Sequence, residues 1–283
     1  MRTLPNTILL NKIKCPHCAE GMEISCGSGA SLVCKGLRCH CFDISAAGHV
    51  NLLKAGHSGS GDSKAAVRAR RDFLEKDYYR PVADALAAVL EERLPRGAFV
   101  VDGGCGEGYY STIIAEKGFN VLGVDISKFA AEAAAKRAGA KRMDNAFFTV
   151  GSVFELPVPD GAADAVVNVF APCVESEFER ALRSGGILAV VYAGREHLLG
   201  LKSAIYDTVK ENDGRADMPE KMKLLEERRI RFDITVEGQT DIQNLFSMTP
   251  YYWRTSPADS EKLKGLESLT TAVDMIIAVY EKE

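Results

Sequence analysis

No apolar run in this 283-residue chain approaches the roughly 20 residues needed to cross a bilayer, so no membrane-spanning helix is expected. The N-terminal stretch lacks the charged, apolar and small-residue succession of a secretory signal, and a cytoplasmic location with reduced thiols is the expectation. Histidine and cysteine are almost missing from the long C-terminal part. Four of five histidines (His17, His40, His49, His57) and six of eight cysteines (Cys15, Cys18, Cys26, Cys34, Cys39, Cys41) crowd into the first fifth of the chain. Without a secretion signal, such crowding argues for metal binding over a disulfide framework. A large net charge is missing too, but the overall −4 is a sum of opposites. Residues 1–71 hold ten Lys or Arg against four Asp or Glu, a balance of +6, which leaves −10 on the remaining 212. A basic part beside an acidic domain favours attraction to a polyanion, although solvated surface produces the same asymmetry and the charge alone identifies no partner. The length suits one large domain plus a small one, and 46% hydrophobic with 26% charged residues is ordinary for a globular protein.

Absent as well is the dinucleotide fingerprint G-x-G-x-x-G. In its place stands Val100-Val101-Asp102-Gly103-Gly104-Cys105-Gly106-Glu107-Gly108-Tyr109, in which Gly104, Gly106 and Gly108 make a G-x-G-x-G turn. Ala98 to Val101 reads as a buried strand, Tyr109 to Lys117 as a helix, and Val121 to Val124 as a second strand ending at Asp125. Glycine permits positive φ and close approach of the backbone to a ligand, while the helix start supplies unpaired N–H groups. Asp125 lies 23 residues after Asp102, where an acid at the tip of the second strand accepts from ribose hydroxyls. Asp102 and Glu107 would repel a pyrophosphate but suit the cationic methionine end of S-adenosylmethionine. The form D-x-G-C-G-x-G resembles motif I of the class I, Rossmann-like methyltransferases.

Cys15-Pro16-His17-Cys18 is a C-x-x-C knuckle, followed by Leu32-Val33-Cys34 and Arg38-Cys39-His40-Cys41. Two pairs of soft ligands at this separation suit a structural, tetrahedral zinc ribbon whose metal supplies much of its stability. Spacing leaves Cys39, His40 and Cys41 open as partners for Cys34, and Cys26 is expected to be unbound. The glycine-serine stretch from Gly56 to Ser63 reads as a flexible link that leaves the ribbon free to move, with Ser63 capping a basic helix, Lys64 to Leu74. Arg68, Arg70 and Arg71 could reach phosphates from that helix or simply be solvated.

The segment Phe42-Asp43-Ile44-Ser45-Ala46-Ala47-Gly48-His49-Val50-Asn51-Leu52-Leu53, beside the knuckle and ahead of the Gly104 turn, resembles the bacterial 23S rRNA (guanine-N1)-methyltransferases. The likeness continues through Ala69-Arg70-Arg71-Asp72-Phe73-Leu74, Phe170-Ala171-Pro172-Cys173, His197-Leu198 and Met248-Thr249-Pro250-Tyr251-Tyr252-Trp253-Arg254. It implies an N-terminal zinc ribbon (residues 1–55) for RNA recognition, a link and basic helix (56–78), and a class I S-adenosylmethionine-dependent methyltransferase domain (79–283). Zinc would be held by Cys15, Cys18, Cys34 and His40, with C-x5-H where the family has C-x3-H, which keeps Cys39 as a rival. Cofactor contacts would come from Tyr79, Asp102, Gly104, Gly106, Glu107, Asp125 and His197, although Tyr79 also reads as a packed aromatic and His197 as a helix opener. A homodimer, a 23S rRNA partner and an effect on macrolide-type drug resistance are implied by the same resemblance.

Further strands are expected at Phe147 to Val150, Ala165 to Phe170, Gly186 to Tyr192, Arg231 to Glu237 and Thr271 to Tyr280, the last antiparallel, with a helix from Lys128 to Arg137. This alternation predicts a doubly wound α/β sheet with ligands at the carboxyl ends of its strands. Gly151-Ser152-Val153-Phe154 would lie beside an adenine and Phe170-Ala171-Pro172-Cys173 would frame a target base. Tyr251-Tyr252-Trp253-Arg254 reads equally as a stacking surface and as core. Guanine N1 carries a proton at neutral pH, and the sequence identifies no general base for it. The competing readings are a methyltransferase acting on a small molecule or protein, and a non-catalytic RNA-binding assembly factor.

Overall fold

A computed structural model describes residues 3–26, 29–54, 56, 61–212 and 219–283. A short helix α1 (Thr7–Leu10) precedes a three-stranded antiparallel ribbon, β1 (Met22–Cys26), β2 (Ala30–Cys34) and β3 (Cys41–Asp43), and then β4 (Val50–Asn51). Helices α2 (Lys64–Leu74) and α3 (Arg80–Arg93) lead into β5 (Phe99–Gly103), α4 (Tyr109–Glu116), β6 (Asn120–Asp125), α5 (Lys128–Ala140) and β7 (Ala146–Val150). The second half runs β8 (Ala163–Val169), α6 (Glu175–Ala181), β9 (Leu182–Ala193), α7 (Leu199–Ile205), β10 (Lys223–Glu237), α8 (Gln239–Ser247), α9 (Pro257–Glu261) and β11 (Ser268–Glu281).

The large sheet has the order β10-β11-β9-β8-β5-β6-β7-β4. Strands β4 through β9 pair parallel, while β11 runs antiparallel to both β9 and β10. The order reverses at β5, which lies between β6 and β8, so the turn after β5 sits at the crevice where open α/β sheets bind ligands. Buried β-branched and aromatic residues fill both faces of the central strands, as expected for a sheet covered on both sides.

The large domain is thus the Rossmann-like class I sheet the sequence predicts. Ser63 caps α2, its hydroxyl accepting from the Ala66 N–H at 3.2 Å. Two differences are informative. Strand β10 begins at Lys223, eight residues before the expected start, because its first half is a charged edge in which Arg93 pairs with Glu226 and Arg228 pairs with Glu92. Phe170 leaves β8 with φ of 52°, so the strand ends one residue early and the ring swings outward.

The ribbon does not hang free on its link. Val50 and Asn51 pair parallel with Thr149 and Val150, adding an edge strand to the large sheet. The Asn6 and Lys14 N–H groups donate to the Asp144 and Pro157 carbonyls, both at 2.9 Å. Leu9, Ile13, Met22, Leu32, Val50 and Leu52 share one buried cluster with Phe99, Val101, Leu122 and Phe147. Too small to bury a core alone, the ribbon borrows one face of the sheet. Half of the glycine-serine stretch, residues 57–60 including His57, lies outside the described residues, as does the side chain of Cys26.

Candidate active site and metal centre

The turn after β5 is built by glycine conformations. Gly104 has φ of 84°, and a Cβ on it would stand 2.3 Å from the Cβ of Ala171, so only glycine lets the 170–173 loop close on the turn. The Gly104 N–H donates to the Val124 carbonyl at 2.8 Å, and the Gly106 N–H donates to the Asp125 carboxylate at 2.9 Å. The other Asp125 oxygen accepts from the Ser127 N–H at 2.8 Å, fixing the carboxylate at the tip of β6. Burial pushes the Asp125 carboxyl up, opposed by these two N–H groups and by the charge of Arg70.

Asp102 is buried beneath the turn and accepts from the Ser111 hydroxyl at 2.5 Å. Burial pushes its carboxyl up to about 7, with Ser111 opposing and the charges of Asp125 and Glu107 adding to the rise. Glu107 is equally buried but already paired, since Arg137 on α5 donates to it through Nε and Nη2 at 3.1 and 2.7 Å. Its carboxylate ties the turn to α5.

Tyr79 and His197 come together in one aromatic wall. Their ring centroids are 6.0 Å apart, and the exposed Phe170 ring stacks on His197 at 5.8 Å with a 21° interplanar angle. The Asp274 N–H donates to His197 Nδ1 at 3.3 Å, which puts the neutral ring's proton on Nε2. Burial lowers the imidazole to about 4, so it is uncharged at pH 7 and serves as a donor. His197 does not open a helix; α7 starts two residues later, after Leu198 in a left-handed conformation. Ser152 is buried at the carboxyl end of β7, its hydroxyl accepting from the Phe154 N–H at 3.2 Å.

The aromatic run divides between the two roles its composition allowed. Tyr251 turns inward, its hydroxyl donating to Asn212 at 3.1 Å under the Lys202 ammonium. Tyr252 and Trp253 turn outward as an edge-to-face pair at 5.0 Å, and Trp253 is 80% exposed.

In the ribbon, ligand atoms of Cys15, Cys18, Cys34 and His40 all lie within 4.8 Å of one another. His40 Nδ1 is 3.5 Å from both Cys15 Sγ and Cys34 Sγ, and Cys18 Sγ is 3.7 Å from Cys34 Sγ. Ligands about 2.3 Å (sulfur) and about 2.0 Å (nitrogen) from a shared tetrahedral ion stand about 3.5–3.8 Å apart, so this donor set fits zinc. Cys39 is not part of the cluster: with φ of 45° it points out, its thiol directed at the Gly36 carbonyl.

Sequence reasoning missed several supporting groups. Buried Asn168 donates to the Gly103 carbonyl at 3.0 Å and the Pro172 carbonyl at 3.3 Å, lashing the base-framing loop to the motif turn. Arg137 and Asp274 act across long sequence separations that leave no local pattern, and Ser111 reaches Asp102 across the turn from the first turn of α4. Only the polar Asn168 inside an apolar strand was a usable signal.

The sheet order, the glycine turn and the acids at the tips of β5 and β6 define a class I S-adenosylmethionine-dependent methyltransferase. A family model described as a methyltransferase domain matches residues 95–247. The 23S rRNA (guanine(748)-N(1))-methyltransferase of Streptomyces fradiae is 29% identical over 278 residues, covering 94% of this chain and 95% of that protein. A Micromonospora griseorubida protein named as a candidate 23S rRNA (guanine-N1)-methyltransferase is 30% identical, covering 88% of this chain and 90% of its own length. A Bacillus subtilis protein with a similar name is 27% identical over 99% of this chain and its full length. The chain belongs to the 23S rRNA (guanine-N1)-methyltransferase family.

Proposed function

We propose that this protein transfers a methyl group from S-adenosylmethionine to N1 of a guanine in a hairpin loop of 23S rRNA, with residues 1–55 acting as a zinc-bound RNA-recognition module. The observation that carries this reading is where the ribbon sits. Its knuckle, Cys15 to Ala19, faces the loop after β7 across a cavity of ≈ 280 Å³ lined by Lys14, Lys54, Gly151 and Ser152. RNA engaged by the ribbon is thereby brought to the carboxyl edge of the sheet. Among the described residues no helix is long and apolar enough to cross a membrane.

S-adenosylmethionine supplies an already activated methyl group, so positioning contributes much of the rate. In this reading Asp125 holds the ribose, the Gly104–Gly108 turn lies under the methionine end, and the 151–154 loop flanks the adenine. Tyr79 and His197 contact the cofactor, and the 170–173 loop, with Phe170 stacked on His197, frames the target base. His197, holding its proton on Nε2, offers the cofactor a hydrogen-bond donor.

Asp102 gives the pocket a pH signature. Below about 7 it is protonated, and a sulfonium beside it favours the ionised form, so binding expels a proton. Affinity for S-adenosylmethionine should rise by up to about tenfold from pH 6 to 8. S-adenosylhomocysteine, neutral at sulfur, should change little. Calorimetry of both ligands across this range checks the sign, and parallel pH slopes would remove Asp102 from the sulfonium site. On the RNA side, Trp253→Ala should weaken rRNA binding by about fivefold or more through lost base stacking while leaving cofactor affinity unchanged. Fluorescence titration with rRNA fragments measures the loss.

Labelled methyl donor incubated with the protein and unmodified 23S rRNA tests the reading as a whole. Label should enter the RNA, and transfer at limiting RNA should fall steeply with salt as phosphate contacts are screened. Label confined to protein or small molecules would reject it.

A further inference from the structure

The three arginines of α2 are not equivalent. Arg68 and Arg71 pair with Asp72 on the outer side of the helix. Arg70 turns inward: its side chain is 27% exposed, its Nη1 lies 2.5 Å from the Asp62 carboxylate, and that same Nη1 is 3.6 Å from where a Cβ on Gly106 would stand. The guanidinium therefore hangs over the motif turn. Its charge reaches both Glu107 and Asp125 and opposes the rise that burial imposes on each. Asp62 is brought there by its own backbone, whose carbonyl accepts from the Ser127 hydroxyl at 2.7 Å. Gly61, with φ of 58°, packs so closely that a Cβ would stand 2.8 Å from Ile126 Cγ2 and from the Ser127 nitrogen.

We propose that Arg70 is the residue that binds the carboxylate of the cofactor's methionine end, exchanging Asp62 for it when the nucleoside enters. The inference rests on the reading of the Gly104–Gly108 turn as the site of S-adenosylmethionine. That molecule presents a sulfonium and an ammonium, which the acids around the turn suit, and also one carboxylate, which they repel. A cation standing over the turn offsets that repulsion. Arg137, the other guanidinium beside it, is held by Glu107 through two hydrogen bonds and is 13% exposed. Arg70 has a partner that is 41% exposed and returns readily to water. A planar guanidinium receives a carboxylate through two parallel N–H donors, a geometry that lysine does not reproduce.

Calorimetry with two thioether ligands separates this role from a structural one. S-adenosylhomocysteine carries the carboxylate; 5′-methylthioadenosine keeps the nucleoside and thioether but lacks the amino-acid end. Arg70→Gln should weaken S-adenosylhomocysteine by about 10- to 100-fold, the loss expected for hydrogen bonds to a charged group, and leave 5′-methylthioadenosine within about twofold. Asp62→Asn, which frees Arg70, should hold or tighten S-adenosylhomocysteine. Equal weakening of both ligands by Arg70→Gln, no weakening of either, or an Asp62→Asn variant that loses S-adenosylhomocysteine as Arg70→Gln does would each overturn the assignment. Failure of both ligands to bind the unaltered protein would reject the pocket itself, a result distinct from failure of Arg70.

Discussion

Cys34→Ser is expected to unfold the ribbon and to damage the large sheet with it. Cys34 is buried, and its sulfur receives the His40 N–H at 3.1 Å besides standing among the other three ligand atoms. Zinc in small domains contributes apparent folding free energies of about 10–16 kcal/mol in isolated finger peptides, far more than so small a core supplies. Because Met22, Leu32 and Ile13 share a cluster with Phe99, Leu122 and Phe147, loss of the ribbon exposes one face of β5, β6 and β7. The unaltered protein should contain one zinc per chain. Cys34→Ser or chelator treatment should remove it, abolish amide protection in β1 to β3 and lower the melting temperature by about 10 °C or more. Metal analysis with hydrogen exchange reads all three, and a metal-free protein of unchanged protection and melting temperature would mean the cluster needs no ion. Cys39→Ser, at the excluded thiol, is the matched control and should retain the metal.

Gly104→Ala should reduce affinity for S-adenosylhomocysteine by about a hundredfold, the second large effect. A side chain at φ of 84° is strained, and its Cβ would meet the Ala171 Cβ at 2.3 Å, a methyl fixed to the backbone that cannot swing aside. The strain costs about 1–3 kcal/mol before any displacement of the 170–173 loop is counted. Gly106→Ala makes the informative contrast: its φ of 55° is one that other residues tolerate better, and its nearest neighbour, Arg70 Nη1, is 3.6 Å away at the end of a flexible side chain. Calorimetry and thermal melts on both variants should rank Gly104→Ala well below Gly106→Ala in affinity and stability. The reverse order would show that the loop does not close on Gly104 in solution.

What could be read from the sequence was whatever leaves a local pattern. Apolar runs alternating with alanine-rich helical spacing announced the central strands, and three glycines followed by an acid 23 residues after Asp102 announced the pocket. Where the reading stayed open, the deciding factor was a backbone angle or a distant partner. Spacing could not choose between Cys39 and His40, because the choice is made by a left-handed turn at Cys39 that faces its thiol outward. Tyr251 and Tyr252 are neighbours of equal hydrophobicity, and distant partners, Asn212 and Lys202, select which goes inside. Strand β4, two residues long, has no periodicity to detect, yet it welds the ribbon to the sheet. The first half of β10 was hidden by its charges, whose partners Glu92 and Arg93 belong to α3. Arg70 read as one of three equivalent surface arginines until Asp62 and the glycine turn supplied its neighbours.

Methylation of a 23S rRNA fragment, followed by nuclease digestion and mass spectrometry, decides whether guanine N1 is the methyl acceptor. A single added methyl is expected on N1 of one guanine within a hairpin loop, appearing only with S-adenosylmethionine present. A methyl on another guanine atom, on ribose, or on no nucleoside at all would contradict it.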